Sequence, residues 1–282
     1  MTQKSVLVTG ASVGKIGRAL ALAFQQKGFL VFACVRNLES AADLAEIPNV
    51  HILVLDITSA QSIFSAVEFV RDRTSGKGLD ILMNSARVEF VMPLLDYDLS
   101  ESKRLFDINV WGTLAMVKAF SPQLIGNKGM VANMSSIAAY IHSPWLGLYA
   151  ASEAALNTLG ETLRLELAPF DVKILTIVSG AVKADIYKKP GEFSLPPDSI
   201  YAPIVSKIAD VAEGKTNPDM METDAYASKV VADLLKERDG LVYRGNWATV
   251  THILSCSPSF VLDGIVSAKR GLDELVKYLR RS

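Results

Sequence analysis

The sequence predicts an α/β protein: a Rossmann-type, doubly wound parallel sheet with helices on both faces. Three observations carry this. Short apolar runs alternate with helix-spaced segments from Val6 to Val178. The first run ends in a glycine-rich turn that opens a helix. Half of the 282 residues are hydrophobic, which is enough to cover a sheet on both faces.

In chain order, the strand-like runs are Val6–Thr9, Leu30–Val35, His51–Leu55, Leu79–Met83, Met130–Met134 and Lys173–Val178. Between them, helical spacing recurs over Ile16–Lys27, Ala60–Arg73, Ser102–Phe120 and Tyr149–Leu167. Strands separated by helices are βαβ units, and right-handed crossovers make the sheet doubly wound. Residues 186–224 break the rhythm with Pro190, Pro196, Pro197, Pro203 and Pro218 and two short helical patches. A long irregular insert after the last core strand is expected to be a lid. Beyond it, Asp224–Lys236 reads as a helix, Leu241–Tyr243 as a short strand and Asp263–Leu279 as a helix. The whole of 1–282 is expected to be one domain, with 244–282 as a C-terminal helical extension.

Charge and cysteine content narrow the classes. A formal net charge of −1 gives no basic surplus for nucleic acid. No cluster of His, Cys, Asp or Glu has metal-ligand spacing, so no metal is expected. Two cysteines, Cys34 and Cys256, make no disulfide framework in so long a chain, and the start MTQKSVLVTG lacks a secretory pattern. An intracellular, cytoplasmic protein is expected. Residues 247–266 are apolar, but His252, Pro258 and Asp263 leave them too broken to span a bilayer. They read either as helix packed on the core or as a peripheral membrane contact, on the endoplasmic reticulum or a lipid body.

The turn Thr9-Gly10-Ala11-Ser12-Val13-Gly14-Lys15-Ile16-Gly17 sits between strand and helix, where glycines admit a pyrophosphate to the backbone and helix N–H groups meet it. Gly10, Ser12, Lys15, Ile16 and Gly17 are candidate dinucleotide contacts. Arg36 ends the second strand, where arginine suits the 2′-phosphate of NADP, unless it is simply a solvated strand end. Asp56 either meets the adenine or caps the helix that starts near Ser59.

TGASVGKIG at Thr9, LDIT at Leu55, NSAR at Asn84, NVWG at Asn109, the pair Ser135-Ser136 and YAASE at Tyr149 fall in one order. In that order they resemble the short-chain dehydrogenase/reductase family across roughly residues 5 to 185. The glycine spacing and the tail (Tyr243-Arg244-Gly245-Asn246-Trp247, Ser257-Pro258, Leu262-Asp263) are similar to the subgroup holding fungal acyl-dihydroxyacetone-phosphate reductases. The resemblance implies hydride exchange between nicotinamide and a carbonyl. Tyr149 would act as proton donor, Ser136 as holder of the carbonyl oxygen, Asn109 as support of a water relay, and Asn84 as a cofactor contact. It also allows a homodimer through the helices Ser102–Phe120 and Tyr149–Leu167.

Three departures fall on the same cleft. The family's lysine, four residues after the tyrosine, is Glu153 here. On a helix the two share a face. At ~5 Å and an effective dielectric near 20, one unit charge acts on the tyrosine with roughly 3 kcal/mol, so reversing its sign should raise the tyrosine pKa. Lys15 and Arg87 stand where the family has glycines. Lys15 either obstructs the pyrophosphate or reaches a 2′-phosphate with Arg36. Arg87 is harder to reconcile with a bound ribose, and either Arg87 or Lys15 can pair with Glu153. NADP binding is therefore expected to be weak or absent. The leading expectation is an enzyme redirected to non-redox chemistry (isomerisation, dehydration or cyclisation), with Glu153 and Tyr149 as a proton-transfer pair. Its substrate would be a small apolar or lipid-like molecule, of natural-product or lipid metabolism, held under the 186–224 lid. The alternatives are an atypical NADPH-dependent carbonyl reductase and a non-catalytic binding protein.

Overall fold

A computed structural model describes residues 3–185, 192–216 and 219–281. Its elements run β1 (Ser5–Thr9), α1 (Ile16–Gln26), β2 (Leu30–Val35), β3 (Val50–Val54), α2 (Ala60–Arg73), β4 (Ile81–Asn84), α3 (Leu99–Phe106), α4 (Thr113–Asn127), β5 (Met130–Ser136) and α5 (Gly147–Leu167). There follow β6 (Lys173–Ser179), α6 (Val205–Ala212), α7 (Thr223–Leu235), β7 (Gly240–Arg244), α8 (Ala248–Ser255), α9 (Ser259–Lys269) and α10 (Leu272–Leu279). The strands form one seven-stranded sheet, order β3-β2-β1-β4-β5-β6-β7, parallel throughout. Strand order reverses between β1 and β4, and a crevice opens there at the carboxyl ends of the strands.

Alternate side chains along each strand feed opposite faces. Val6 and Val8 of β1, Val31 and Ala33 of β2, and Leu175 and Ile177 of β6 pack with α1 and α7. Leu7, Phe32 and Ile174 pack on the other face with α2 and α4. Both faces are apolar, so the strands read as nearly continuous hydrophobic runs.

The helix expected over Ser102–Phe120 begins earlier and ends later. Asp98 caps α3, accepting from Ser100 N at 2.8 Å and Glu101 N at 3.1 Å. A π-helical stretch, Asp107–Gly112, leads into α4, and α4 continues through Pro122. Pro122 cannot donate to the Lys118 carbonyl, and the Ser121 hydroxyl does so instead at 2.9 Å. The helix expected over Asp263–Leu279 is two helices, α9 and α10, parted at Gly271 (φ +83°). In the insert, the described residues carry a 3-10 turn, Ala202–Ile204, running directly into α6 rather than two separate patches; residues 186–191 and 217–218 lie outside the described residues.

The insert and the C-terminal helices share a third, smaller core. Ile204, Ile208 and Val211 pack on Val91 and Trp145, with Leu272 and Leu275 of α10 against them. Trp145 Nε1 donates to the Arg270 carbonyl at 3.0 Å, which ties the end of α9 to the loop before α5. Trp247, Val250 and Ile253 of the α8 region are exposed. Among the described residues, no helix is long and apolar enough to cross a membrane.

Candidate active site

One cavity of about 710 Å³ runs along the crevice, from the glycine-rich turn to Ser136 and Tyr149. At its first end, Gly10 adopts φ +73°, and a Cβ there would lie 2.9 Å from Ala86 Cα. A Cβ on Gly17 would lie 2.4 Å from the Gly10 carbonyl oxygen, so only glycine lets α1 start this close to the turn. Ser12 lines this end, its Oγ receiving a hydrogen bond from Ser40 Oγ at 3.0 Å. No side chain caps the N-terminus of α1, so its first N–H groups are available to an anion.

Lys15, Ile16 and Arg36 line the same end. The Lys15 ammonium bonds the Asp185 carbonyl. Burial lowers its pKa first; Asp185 opposes that, and the nearby Arg36 lowers it further. Two cations close enough to repel at the end of β2 are a fit for a phosphate. Asp56 lies on this wall too, its Oδ1 accepting from Thr58 N at 2.9 Å and from Thr58 Oγ1 at 2.7 Å. Those two bonds hold its carboxyl below the usual range. The cap of α2 is Ser59, not Asp56. These features together fit a dinucleotide with an extra phosphate on its adenosine half.

At the second end, Ser136 closes β5 and Tyr149 lies in the first turn of α5. Tyr149 is 4% exposed. Burial pushes its phenol up strongly; Arg87 is the largest opposing influence, Glu153 and Glu89 push up again, and the neighbouring Ser136 pulls down.

Three predicted residues stand behind this wall, off the cavity surface. Asn84 is buried, with Nδ2 on Asn133 Oδ1 at 2.9 Å. Asn109 is 2% exposed. Its Oδ1 accepts from Val88 N at 2.9 Å, and its Nδ2 donates to Val88 O at 2.9 Å and to Ser152 Oγ at 3.1 Å. It clamps the loop after β4. Glu153 is 1% exposed and faces Arg87, with Arg87 Nη1 3.4 Å from Glu153 Oε2. Arg87 also donates to the Ser135 carbonyl at 2.9 Å. Burial raises the Glu153 pKa; Arg87 and then Ser135 oppose it. Lys15, the other candidate partner for Glu153, is bonded to Asp185 at the far end.

Sequence reasoning passed over Glu89. It lines the cavity, half-buried, and burial pushes its carboxyl up to about 7, with Arg87 and Arg270 opposing and Glu153 adding to the rise. Its signal was a lone acid inside the apolar run Val88–Met92. Arg270, whose Nη1 donates to Thr216 Oγ1 at 2.9 Å, closes the cavity from the C-terminal side. Among the described residues, no group of three His, Cys, Asp or Glu is placed to hold a metal.

Comparison with known proteins gives consistent matches. The family model described as short chain dehydrogenase matches residues 4–193. The short-chain dehydrogenase ptmH of Penicillium ochrochloron is 40% identical over 273 residues, covering 96% of this chain and 100% of that one. The NADPH-dependent 1-acyldihydroxyacetone phosphate reductase of Schizosaccharomyces pombe is 39% identical over 205 residues, covering 71% of this chain and 69% of its own. Among solved structures, a short-chain dehydrogenase of Streptomyces avermitilis aligns with a TM-score of 0.76 at 26% identity, over 100% of this chain and 99% of that one. One from Burkholderia cenocepacia, in complex with NADP, gives 0.73 at 25% identity, over 94% and 97%.

Proposed function

The chain belongs to the short-chain dehydrogenase/reductase family, and from that premise we propose that it is an NADP(H)-dependent oxidoreductase acting on a carbonyl or hydroxyl of a small, largely apolar molecule. The observation that carries the proposal is the single cavity joining the Gly10 turn and Arg36 to Ser136 and Tyr149. The bound dinucleotide would supply or accept the hydride. Tyr149 gives or takes the proton at the substrate oxygen, and the Ser136 hydroxyl holds that oxygen. The substrate end is walled by Leu146, Val211 and Val266, apolar surface from the loop before α5, the insert and the C-terminal extension. That lining favours a molecule whose reacting oxygen is its principal polar group there.

The experiment is a fluorescence titration with NADPH and with NADH. We expect NADPH to bind at least about tenfold more tightly, a difference of roughly 1.4 kcal/mol. Arg36→Ala should remove that preference while leaving NADH unchanged. Binding of neither dinucleotide, or equal binding of both, would overturn the proposal.

A second reading, non-redox proton transfer, is favoured by one observation: a half-buried carboxyl on the cavity, Glu89, with a pKa pushed up to about 7. Glu153, expected to fill that role, is turned away from the cavity and into its ion pair. Turnover of a substrate without any dinucleotide, lost in Glu89→Gln, would support the second reading over the first.

A further inference from the structure

Two of the family departures meet in space. Arg87 and Glu153 lie 66 residues apart in sequence, one on the loop after β4 and the other on α5. A carboxylate at 1% exposure is costly unless a cation stands beside it. Arg87 is that cation, and unlike a lysine it stays charged on burial. Burial works against its charge, but Tyr149, Glu153, Tyr226 and Glu89 together more than compensate and hold its pKa above the usual arginine value.

The guanidinium has a free edge. Both of its hydrogen bonds, to Ser135 O and Glu153 Oε2, leave from Nη1. Nε and Nη2 have no acceptor among the described residues, and Arg87 lines the cavity on the wall that carries Ser136 and Tyr149. Of the charged groups acting on the Tyr149 phenol, Arg87 is the cation, and its influence exceeds that of Glu153. Within the pair, Arg87 therefore acts on the phenol more strongly than Glu153, which alone would do the opposite.

We propose that Arg87 is the cation of the reacting centre: its free N–H edge binds the ribose next to the nicotinamide, its charge stands beside Tyr149, and Glu153 is the buried counter-ion that fixes it there. This rests on the NADP(H) reading above. The positive charge has moved from helix α5 to the loop after β4, so Arg87 completes the nucleotide site rather than obstructing it.

The test uses two probes that share an adenosine half. NADPH reaches the reacting centre; adenosine 2′,5′-bisphosphate stops at the Arg36 end. Arg87→Met should weaken NADPH about tenfold or more, and adenosine 2′,5′-bisphosphate by less than about twofold. Restoring the family arrangement at both positions, in Arg87→Gly/Glu153→Lys, should bring NADPH affinity back to within about threefold of wild type. Arg87→Met/Glu153→Gln, which buries no unpaired charge, serves in place of Arg87→Met if that variant does not fold, with the same outcomes expected. An unchanged NADPH affinity, or equal weakening of both probes, means that Arg87 only seals the wall, and overturns the inference while leaving the proposed function standing. Wild-type protein that binds neither probe overturns both.

Discussion

Replacing Arg87 by methionine has an effect on stability whose size and pH dependence follow from the ion pair. At 3.4 Å and an effective dielectric near 20, the attraction lost is about 5 kcal/mol. The carboxyl has an escape, because it can protonate. Holding a group with an ordinary pKa of 4.5 neutral at pH 7 costs about 3.4 kcal/mol, at 1.36 kcal/mol per unit. The smaller figure sets the ceiling. Wild-type Glu153 already has a raised pKa, so part of that cost is present before the change, and the expected loss is about 2 kcal/mol at pH 7. For a chain of this size that is roughly 4 °C in melting temperature. The sign follows from linkage. In the variant the folded pKa rises further above the unfolded one, so stability is full below about pH 4.5 and falls as pH rises. At pH 5 the ceiling drops to about 1 kcal/mol and the loss should nearly vanish. Glu89, also next to Arg87, shifts the same way. Melting curves at pH 5 and pH 7 measure it, with Arg87→Met/Glu153→Gln as a control whose stability relative to wild type should depend much less on pH. An equal loss of Arg87→Met at both pH values would refute the argument, because it would mean that packing, not the buried carboxylate, sets the cost.

Two more outcomes are expected. Gly17→Ala places a methyl 2.4 Å from the Gly10 carbonyl oxygen and must push α1 off the turn; NADPH binding should fall more than tenfold and melting temperature should drop, and a variant binding NADPH normally would contradict the tight turn. Glu89→Gln removes a carboxyl that burial holds at about 7; it should stabilise the fold by about 1–3 kcal/mol above pH 7, by progressively less as pH falls, and not at all below about pH 4.5, measured by denaturant unfolding across that range.

The strands were legible because a parallel sheet buried on both faces writes itself as short apolar runs, and their alternation with helices gives the βαβ units, while the reversal between β1 and β4 shows only in the folded sheet. β7 was harder. Only Leu241–Tyr243 reads as strand, yet backbone pairing with β6 extends it to Gly240 and Arg244, and Arg244 is held by a bidentate bond to Asp233 of α7 at 2.6 and 2.8 Å. The boundary at Phe120 failed because the Ser121 hydroxyl replaces the bond that Pro122 removes. Motif order led to Ser136, Tyr149 and Arg36 on the cavity. It could not tell that Asn84 and Asn109 spend their side chains inside the wall, because that depends on the partners Asn133, Val88 and Ser152, which only the folded chain assembles. Lys15, Arg87 and Glu153 each stood out as departures. Which cation meets Glu153 is set by the distance between the loop after β4 and α5, and no spacing along the chain encodes it.

The hydrogen bond from Trp145 to the Arg270 carbonyl also sets an order in time. A ribosome makes the chain from its N-terminus. The glycine turn, Arg36 and Asp56 all emerge before Tyr149, and Arg270 emerges 125 residues after its partner Trp145. The nascent chain thus holds the glycine turn and Arg36 while the cavity still lacks the wall that Arg270 supplies. A chain cut short before Arg270 would lack both the Trp145 anchor and the wall that Arg270 gives the cavity, while the glycine turn and Arg36 would already be in place along the sequence.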